Sequence, residues 1–306
     1  MLKRVFRVLL LIGLVSFFSF KTKDVFNSSI SRELNYIQYY LKVYQADSLY
    51  ITKNYQKSYE ILDKLFKDYE PINLPNYNEL FNYYRLKLIL KKDINRSKFS
   101  ELISKYNLNN EILLNDSLMK TYYMKEKFFF DKNYNLLRQK FISKLNLKLR
   151  DEIKEMRVQD QLFRDKDYQY NIIKQNKIDS INSLKTRKIF KEFGYPNEYI
   201  IGDFMLDKSF VDIEIILLHT KDVEREEYYL PKVLEFIEKG KAPPRTYAVL
   251  LDQFNLYHGK EQYYGSYSKK VNISISELNK RRKLIGLPSY GYEKWRFEKL
   301  HPNEEY

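Results

Sequence analysis

Six polar side chains lie beside apolar helical segments in the second half of the sequence, and their types suit acid–base or anion-binding chemistry. They are Asp160, Gln161, Arg164, His219, Asp252 and Gln262. Because burying an unpaired charge costs several kcal/mol, we expect these groups to pair with one another if they are buried. Together they form either a polar network that fixes helix packing or a pocket that binds a ligand.

His219 is the candidate general acid or base, since histidine changes its charge near neutral pH. The imidazole would be held by the carboxylate of Asp160, Asp222 or Asp252, while Arg164 would bind an anion. Asp222 follows His219 by three residues, a spacing that can place both side chains on one helix face. The candidate catalytic residues are therefore His219, Asp160 and Asp252.

Four residues of the same region are candidates for ligand binding: Arg164, Gln161, Gln262 and Tyr264. The tyrosines of residues 259–267 would either stack on a sugar or a base, or pack over the helices. We predict no metal site, because the chain has no cysteine and the spacing supplies no third ligand beside His219. We also predict no cofactor, since neither a Walker A loop nor a G-x-G-x-x-G fingerprint occurs.

Helices are predicted to position these residues. One helix passes through Leu149, Ile153 and Met156. Another helix begins at a cap formed by Asp179 and ends before Gly194-Tyr195-Pro196. The further predictions are helices over 204–219 and 223–238, a helix introduced by Pro243-Pro244, a short strand or hairpin at Val271–Ile275, and a short helix at Glu277–Lys283.

The first half of the sequence carries a weak repeat. Residues 30–145 contain little Gly or Pro and place apolar residues at three- and four-residue steps, which predicts amphipathic helices. Three similar segments around Tyr55, Ile94 and Tyr134 recur about every 40 residues, a period typical of helix–turn–helix repeats.

Residues 36–70 resemble a tetratricopeptide repeat. The positions that carry the resemblance are Ala46, Tyr50, Asn54, Tyr55, Ser58, Tyr59 and Ile61. Asn54 replaces the usual Gly before the turn, and Asn tolerates a left-handed conformation. The resemblance implies a scaffold that binds a protein partner. The alternative is a helical bundle that only packs against the next domain.

The second half resembles a bacterial family, domain of unknown function family 6624, over about 150 residues. The features that carry the resemblance are Asp160-Gln161 with Arg164, Asp179 with Asn182, Gly194-x-Pro196, His219 with Asp222, Ala248 with Asp252, Gly259-x-x-Gln262-x-Tyr264-Gly265, Arg281-Arg282, Gly286-Leu287-Pro288 and Tyr292. Ser266-Tyr267 departs from the family's Thr-Gln. The resemblance implies a mostly helical domain and no established activity.

Residues 1–23 are interpreted as a targeting segment. Lys3, Arg4 and Arg7 precede the uncharged run Val8–Phe20. This run is short for a membrane-spanning helix, which favours a cleaved signal peptide over a retained anchor.

The net charge of +14 does not predict nucleic-acid binding, because most lysines alternate with acidic residues. The one basic run, Lys280–Lys283, is interpreted as a solvated helix face.

We therefore predict an all-α protein with three parts: residues 1–23, a helical-repeat region over 24–145 and a helical domain over 146–306. The predicted function is an exported envelope protein, periplasmic or membrane-anchored, whose repeats bind a protein partner. It would contact a membrane only through residues 1–23, if they are retained. The alternative is a hydrolase-like enzyme or a small-ligand binder with its site around His219.

Overall fold

The chain folds into helices joined by short connections. The computed structural model describes residues 35–164, 168–268 and 271–306, and no β-strand occurs in these ranges, which confirms the all-α prediction. The predicted strand or hairpin at Val271–Ile275 is wrong. The hydroxyl of Ser274 accepts a hydrogen bond from the backbone N–H of Glu277, so a helix begins at Ile275 instead. The segment at residues 1–23 lies outside the described residues.

Seven helices make up the first half of the described chain. They are α1 (Ile37–Ile51), α2 (Tyr55–Asp68), α3 (Glu79–Ile89), α4 (Arg96–Ser104), α5 (Asn110–Asn115), α6 (Ser117–Lys125) and α7 (Lys127–Ile142). Helix α2 packs against α1 and α3, α3 also contacts α6, and α4 lies against α7. This is an arrangement of successive helical hairpins, consistent with a helical repeat.

The turn between α1 and α2 is tight because small residues meet where the helices face each other. The Ser58 hydroxyl donates a hydrogen bond to the Ala46 carbonyl at 2.8 Å, and both residues are buried. The left-handed residue at this turn is Lys53, with φ of 61°, whereas Asn54 has φ of −83°. Asn54 therefore does not adopt the left-handed conformation that its residue type suggested.

Two of the three repeat segments coincide with turns between helices. Tyr55 begins α2, and Ile94 lies two residues before α4. Tyr134, in contrast, lies inside α7, and the turn before that helix is at Glu126. The third segment is thus out of register with the first two.

The second half contains the remaining helices. They are α8 (Leu147–Gln161), α9 (Tyr168–Glu192), α10 (Glu198–Ile201), α11 (Phe204–Asp207), α12 (Glu214–Leu218), α13 (Asp222–Glu224), a π-helical turn (Arg225–Tyr229), α14 (Leu230–Glu238), α15 (Pro244–Tyr257), α16 (Ile275–Leu284) and α17 (Tyr292–Leu300). Helix α9 ends just before Gly194, and α15 starts at Pro244, as predicted.

Two helix predictions in this half are wrong. Asp179 does not cap a helix but lies within α9, where its carboxylate accepts hydrogen bonds from Arg164 and Gln175. The helix predicted over 204–219 is divided into α11 and α12. Lys208 ends α11 in a left-handed conformation with φ of 59°, so the chain leaves the helix there.

The main hydrophobic core draws on both halves of the described chain. It includes Tyr39, Tyr40 and Val43 of α1 together with Ile153 of α8 and Val233 of α14. The Tyr40 hydroxyl donates to the carbonyl oxygens of Ile237 and Ala242 across this core. All described residues belong to one compact unit. The boundary at 145/146, which stays a prediction, is therefore crossed by a shared core.

None of the helices in residues 35–164, 168–268 and 271–306 combines the length and the apolarity that crossing a bilayer requires.

Candidate functional site

Asp160 is the centre of the polar cluster, and its side chain is fully buried in the last turn of α8. Its Oδ2 atom lies 2.7 Å from Nδ1 of His219 and accepts a hydrogen bond of 2.6 Å from Nε2 of Gln161. The Arg164 guanidinium approaches the same oxygen at 3.6 Å. Three sequence-predicted residues therefore converge on this carboxylate.

Arg164 and Gln175 hold the end of α8 against α9. Arg164 donates from Nε to the Asp160 carbonyl at 2.8 Å and from Nη2 to Asp179 at 2.5 Å. Gln175 is buried, and its amide bridges the Asp160 carbonyl and the Asp179 carboxylate at 2.9 and 2.8 Å. The side chains of one helix are thus fixed by those of the other.

His219 follows the last residue of the short helix α12, and Arg225 binds the backbone on both sides of it. The Nη2 atom of Arg225 donates to the carbonyl oxygens of Leu218 and Thr220, the two neighbours of His219, at 2.5 and 3.1 Å. The Thr220 hydroxyl closes the turn by donating to the Leu217 carbonyl. These contacts fix the direction in which the imidazole leaves the chain, toward Asp160.

Arg225 is itself buried, with 3% of its surface exposed, at the start of the π-helical turn. Its hydrogen bonds go to neutral oxygens: the two carbonyls beside His219, and Oε1 of Gln253 at 2.9 Å. Burial lowers the pKa of the guanidinium from its ordinary value. The group is a buried cation without a carboxylate hydrogen-bond partner in the described chain.

Asp252 and Gln262 organise the loop between α15 and α16. The Asp252 carboxylate accepts from the backbone N–H groups of Tyr263, Tyr264 and Ser266 and from the Ser266 hydroxyl. The side-chain oxygen of Gln262 accepts from the backbone N–H groups of Tyr267 and Ser268. The four hydrogen bonds of Asp252 all go to this loop, so the carboxylate that orients His219 is Asp160.

A chain of hydrogen bonds joins this loop to His219. The Gln253 amide donates to the Tyr267 hydroxyl at 3.4 Å while its oxygen accepts from Arg225, which holds the backbone around His219. Tyr264 is placed differently, since its ring is buried against Ala248. Tyr263 and Tyr267, with 39% and 40% of their surface exposed, are the accessible aromatic residues of the loop.

The side chain of Asp222 forms its ion pair with a histidine other than His219. Its carboxylate pairs with Nε2 of His258 at 3.2 Å, on the exposed surface. His301 is also exposed.

Three residues of the network were not predicted: Gln175, Arg225 and Gln253. The sequence neighbours of Gln175 and Arg225 are charged or polar, and this pattern is typical of a solvated helix face. The only local signal is the position of Gln253 directly after Asp252.

The geometry suits a base or an oxyanion-binding group. Because a carboxylate can only accept, the proton on His219 sits at Nδ1, and Nε2 is left for another partner. Within the described ranges, no group of three His, Cys, Asp or Glu side chains is arranged to hold a metal ion.

A separate cleft of about 900 Å³ lies between α4, α6 and α7. Its walls include Ile94, Ser97, Thr121, Phe129 and Leu137. The exposed cations Lys92, Lys125 and Lys140 line the same cleft.

Compared with family models, with curated proteins and with solved structures, the chain matches none of them. The two family resemblances therefore stay predictions.

Proposed function

We propose that this protein is an exported cell-envelope protein whose N-terminal helical hairpins bind a protein partner. The observation that carries the proposal is the cleft of about 900 Å³ between α4, α6 and α7, on the helical-hairpin half of the described chain. Stacked helical hairpins commonly use such a concave surface to hold an extended segment of another protein.

The charges of the cleft favour an acidic segment. Two of its carboxylates are paired with arginine or lysine, Glu126 with Arg96 at 3.1 Å and Glu101 with Lys98 at 2.9 Å. The lysines at positions 92, 125 and 140 make no ion pair with the described residues, and Asp93 is the one remaining carboxylate of the lining. Phe129 and Leu137 supply apolar contacts beside these cations, so an acidic segment with apolar side chains fits best.

Site-specific photocrosslinking in cells tests the proposal. A photoreactive amino acid replaces Thr121 in the cleft or, as the control, exposed Lys177 on α9. We expect a discrete protein adduct from position 121 alone, and we expect Lys125→Glu with Lys140→Glu to abolish it. Lys188→Glu, an exposed change on α9, should leave it intact. An adduct that persists after charge reversal in the cleft, or none at all, would exclude this binding surface.

Export is proposed from residues 1–23, on the basic cluster and the apolar run that follows it. The test is the N-terminus of the mature protein in an envelope fraction. A chain that begins after about residue 23 supports signal-peptide cleavage. Full-length protein in the membrane fraction supports an anchor, and full-length cytoplasmic protein contradicts export.

A further inference from the structure

The Asp160 cluster presents two nitrogen atoms that the described chain does not use. Nδ1 of His219 and the Nε and Nη2 atoms of Arg164 are taken up by Asp160 and Asp179. Nε2 of His219 and Nη1 of Arg164 have no hydrogen-bond partner among the described residues. Their side chains are 23% and 17% exposed, whereas Asp160 between them is fully buried. The cluster therefore turns its carboxylate inward and keeps two potential donors for a ligand.

The local charges favour an anion at these donors. The carboxylate of Asp160 faces Arg164 and the imidazole of His219, and the carboxylate of Asp179 pairs with Arg164. Arg225 adds a buried positive charge whose hydrogen bonds go only to neutral oxygens. Because Nη1 of Arg164 and the Nε2 of a protonated His219 imidazole can only donate hydrogen bonds, the ligand that suits both atoms is an acceptor, and a negative charge strengthens both bonds.

The donors are also held in place before any ligand arrives. Arg164 is fixed to α8 and α9 by its contacts with the Asp160 carbonyl and with Asp179. His219 is fixed through Asp160 in front and through the Arg225 contacts on either side of its backbone. Preorganised donors lose little conformational entropy on binding, which is how small sites achieve useful affinity.

One further buried atom of this cluster lacks a hydrogen-bond partner among the described residues. Oδ1 of Asp160 is buried and has no hydrogen-bond donor among the described residues. Buried carboxylate oxygens are usually satisfied, and an exception calls for an explanation such as an ordered water or a functional role. Because a carboxylate oxygen can only accept, this atom would take a hydrogen bond from water or from a donor on the ligand.

We propose that Nε2 of His219 and Nη1 of Arg164 together bind a small oxyanion, carried by free phosphate or by the carboxylate of a small molecule. Asp160 is the positioning residue for both donors, and Arg225 positions the backbone of His219. Charge-assisted hydrogen bonds of this kind are short and strong. This inference concerns a different part of the described chain from the protein-binding cleft and does not depend on it.

Nitrogen NMR of the full-length protein tests the proposal. The imidazole resonances are followed while sodium phosphate, or in a second series sodium acetate, replaces sodium chloride at constant ionic strength. We expect a saturable shift of Nε2 of His219 in at least one series. Phosphate alone identifies a phosphate site, and both series identify a general oxyanion site. The absence of a saturable shift in the wild-type protein in both series overturns the proposal.

Variants separate the site from general charge effects. Isothermal titration calorimetry with phosphate and acetate compares the variants, since His219→Gln removes the imidazole that NMR observes. Arg164→Gln and His219→Gln should each weaken binding by about 10-fold to 100-fold, the usual effect of losing one charged hydrogen bond. His258→Gln is the matched control, because His258 forms the other His–Asp pair of this region, with Asp222 on the surface. Wild-type affinity in both site variants would contradict the assignment, as would an equal loss in the control. Arg164→Lys, which keeps the charge, provides a milder change, and circular dichroism confirms that each variant is folded.

Discussion

Asp252 and Ser266 are joined by two hydrogen bonds, because Oδ2 of Asp252 accepts from both the backbone N–H and the hydroxyl of Ser266, each at 2.7 Å. The other carboxylate oxygen accepts from the N–H groups of Tyr263 and Tyr264 at 2.7 and 2.9 Å. One buried carboxylate of α15 thus determines the path of a whole loop. The sequence predicts a catalytic role for Asp252, and holding the loop is the alternative role that these contacts indicate.

Asp252→Asn tests that structural role. Asparagine has one acceptor oxygen, and its NH₂ group would face N–H groups that need acceptors, so we expect a loss of about 1–3 kcal/mol in the free energy of unfolding. That loss lowers the thermal midpoint by several degrees. Asp222→Asn, an exposed change, should alter stability by less than about 0.5 kcal/mol. Equal midpoints for Asp252→Asn and the wild type would show that the loop does not depend on this carboxylate.

Arg225→Lys tests the support behind His219. A lysine cannot reach Gln253 and both carbonyls at once as the planar guanidinium does, so the turn at 218–220 should open more often. We expect faster amide hydrogen exchange in peptides that cover residues 216–222, with a destabilisation of about 1–3 kcal/mol.

Arg96→Lys is the control for this exchange measurement. Arg96 is 52% exposed and pairs with Glu126 on the first half of the described chain. Its substitution should leave exchange at residues 216–222 unchanged. Unchanged exchange in Arg225→Lys would show that other contacts hold the turn.

The helical class and several helix ends follow from local sequence, because their causes are local. Pro244 suits the first turn of a helix, and Gly194 adopts a positive φ of 75° directly beyond the end of α9. Asp179 has a residue type that commonly caps helices, but tertiary contacts decide its place. Its carboxylate binds Arg164 and Gln175, so the helix continues past it.

The candidate site was predictable only in part, for the same reason. Asp160, Arg164 and His219 were identifiable as polar residues beside apolar helices, and the structure brings them together. Arg225 was not identifiable, because it lies between two acidic residues, which is the pattern of a solvent-exposed helix face. A π-helical turn begins at Arg225 and changes the helical register there, and neither this turn nor its contacts across the fold can be inferred from residue spacing.

Gly286→Ala tests the close contact between α1 and the turn after α16. Gly286 has φ of 81°, and an added Cβ atom would lie 2.9 Å from Cδ2 of Tyr40. We expect a loss of about 1–2 kcal/mol from the left-handed backbone, with a further 1–3 kcal/mol, roughly, from the clash with the buried ring. Gly259→Ala isolates the first effect, because Gly259 has φ of 67° and no atom within 4 Å of the added Cβ. Thermal midpoints that fall equally in both variants would show that Tyr40 yields without cost.

Asp207 gives the fold a defined sensitivity to acid. Hydrogen bonds from Arg150 and, next, from Lys154 hold the pKa of its carboxyl well below the ordinary value of 3.8. Arg150 is almost fully buried, and it also donates to the carbonyls of Ile201 and Gly202, so the ion pair anchors the chain around α11.

The direction of the pH dependence follows from this lowered pKa. A carboxyl whose pKa is lower in the folded state contributes stability that is present above the unfolded pKa. That contribution is lost as the pH falls through the folded pKa. Asp207→Asn should therefore be less stable than the wild type at pH 7, and the difference should shrink progressively below about pH 4. Urea unfolding at several pH values measures both curves. Asp131→Asn, which removes an exposed pair with Lys127, should stay within about 0.5 kcal/mol of the wild type at every pH. A difference between Asp207→Asn and wild type that stays constant with pH would show that the charge of the carboxylate does not contribute, and would assign the loss to neutral hydrogen bonds of residue 207 such as the one from the Ser209 N–H.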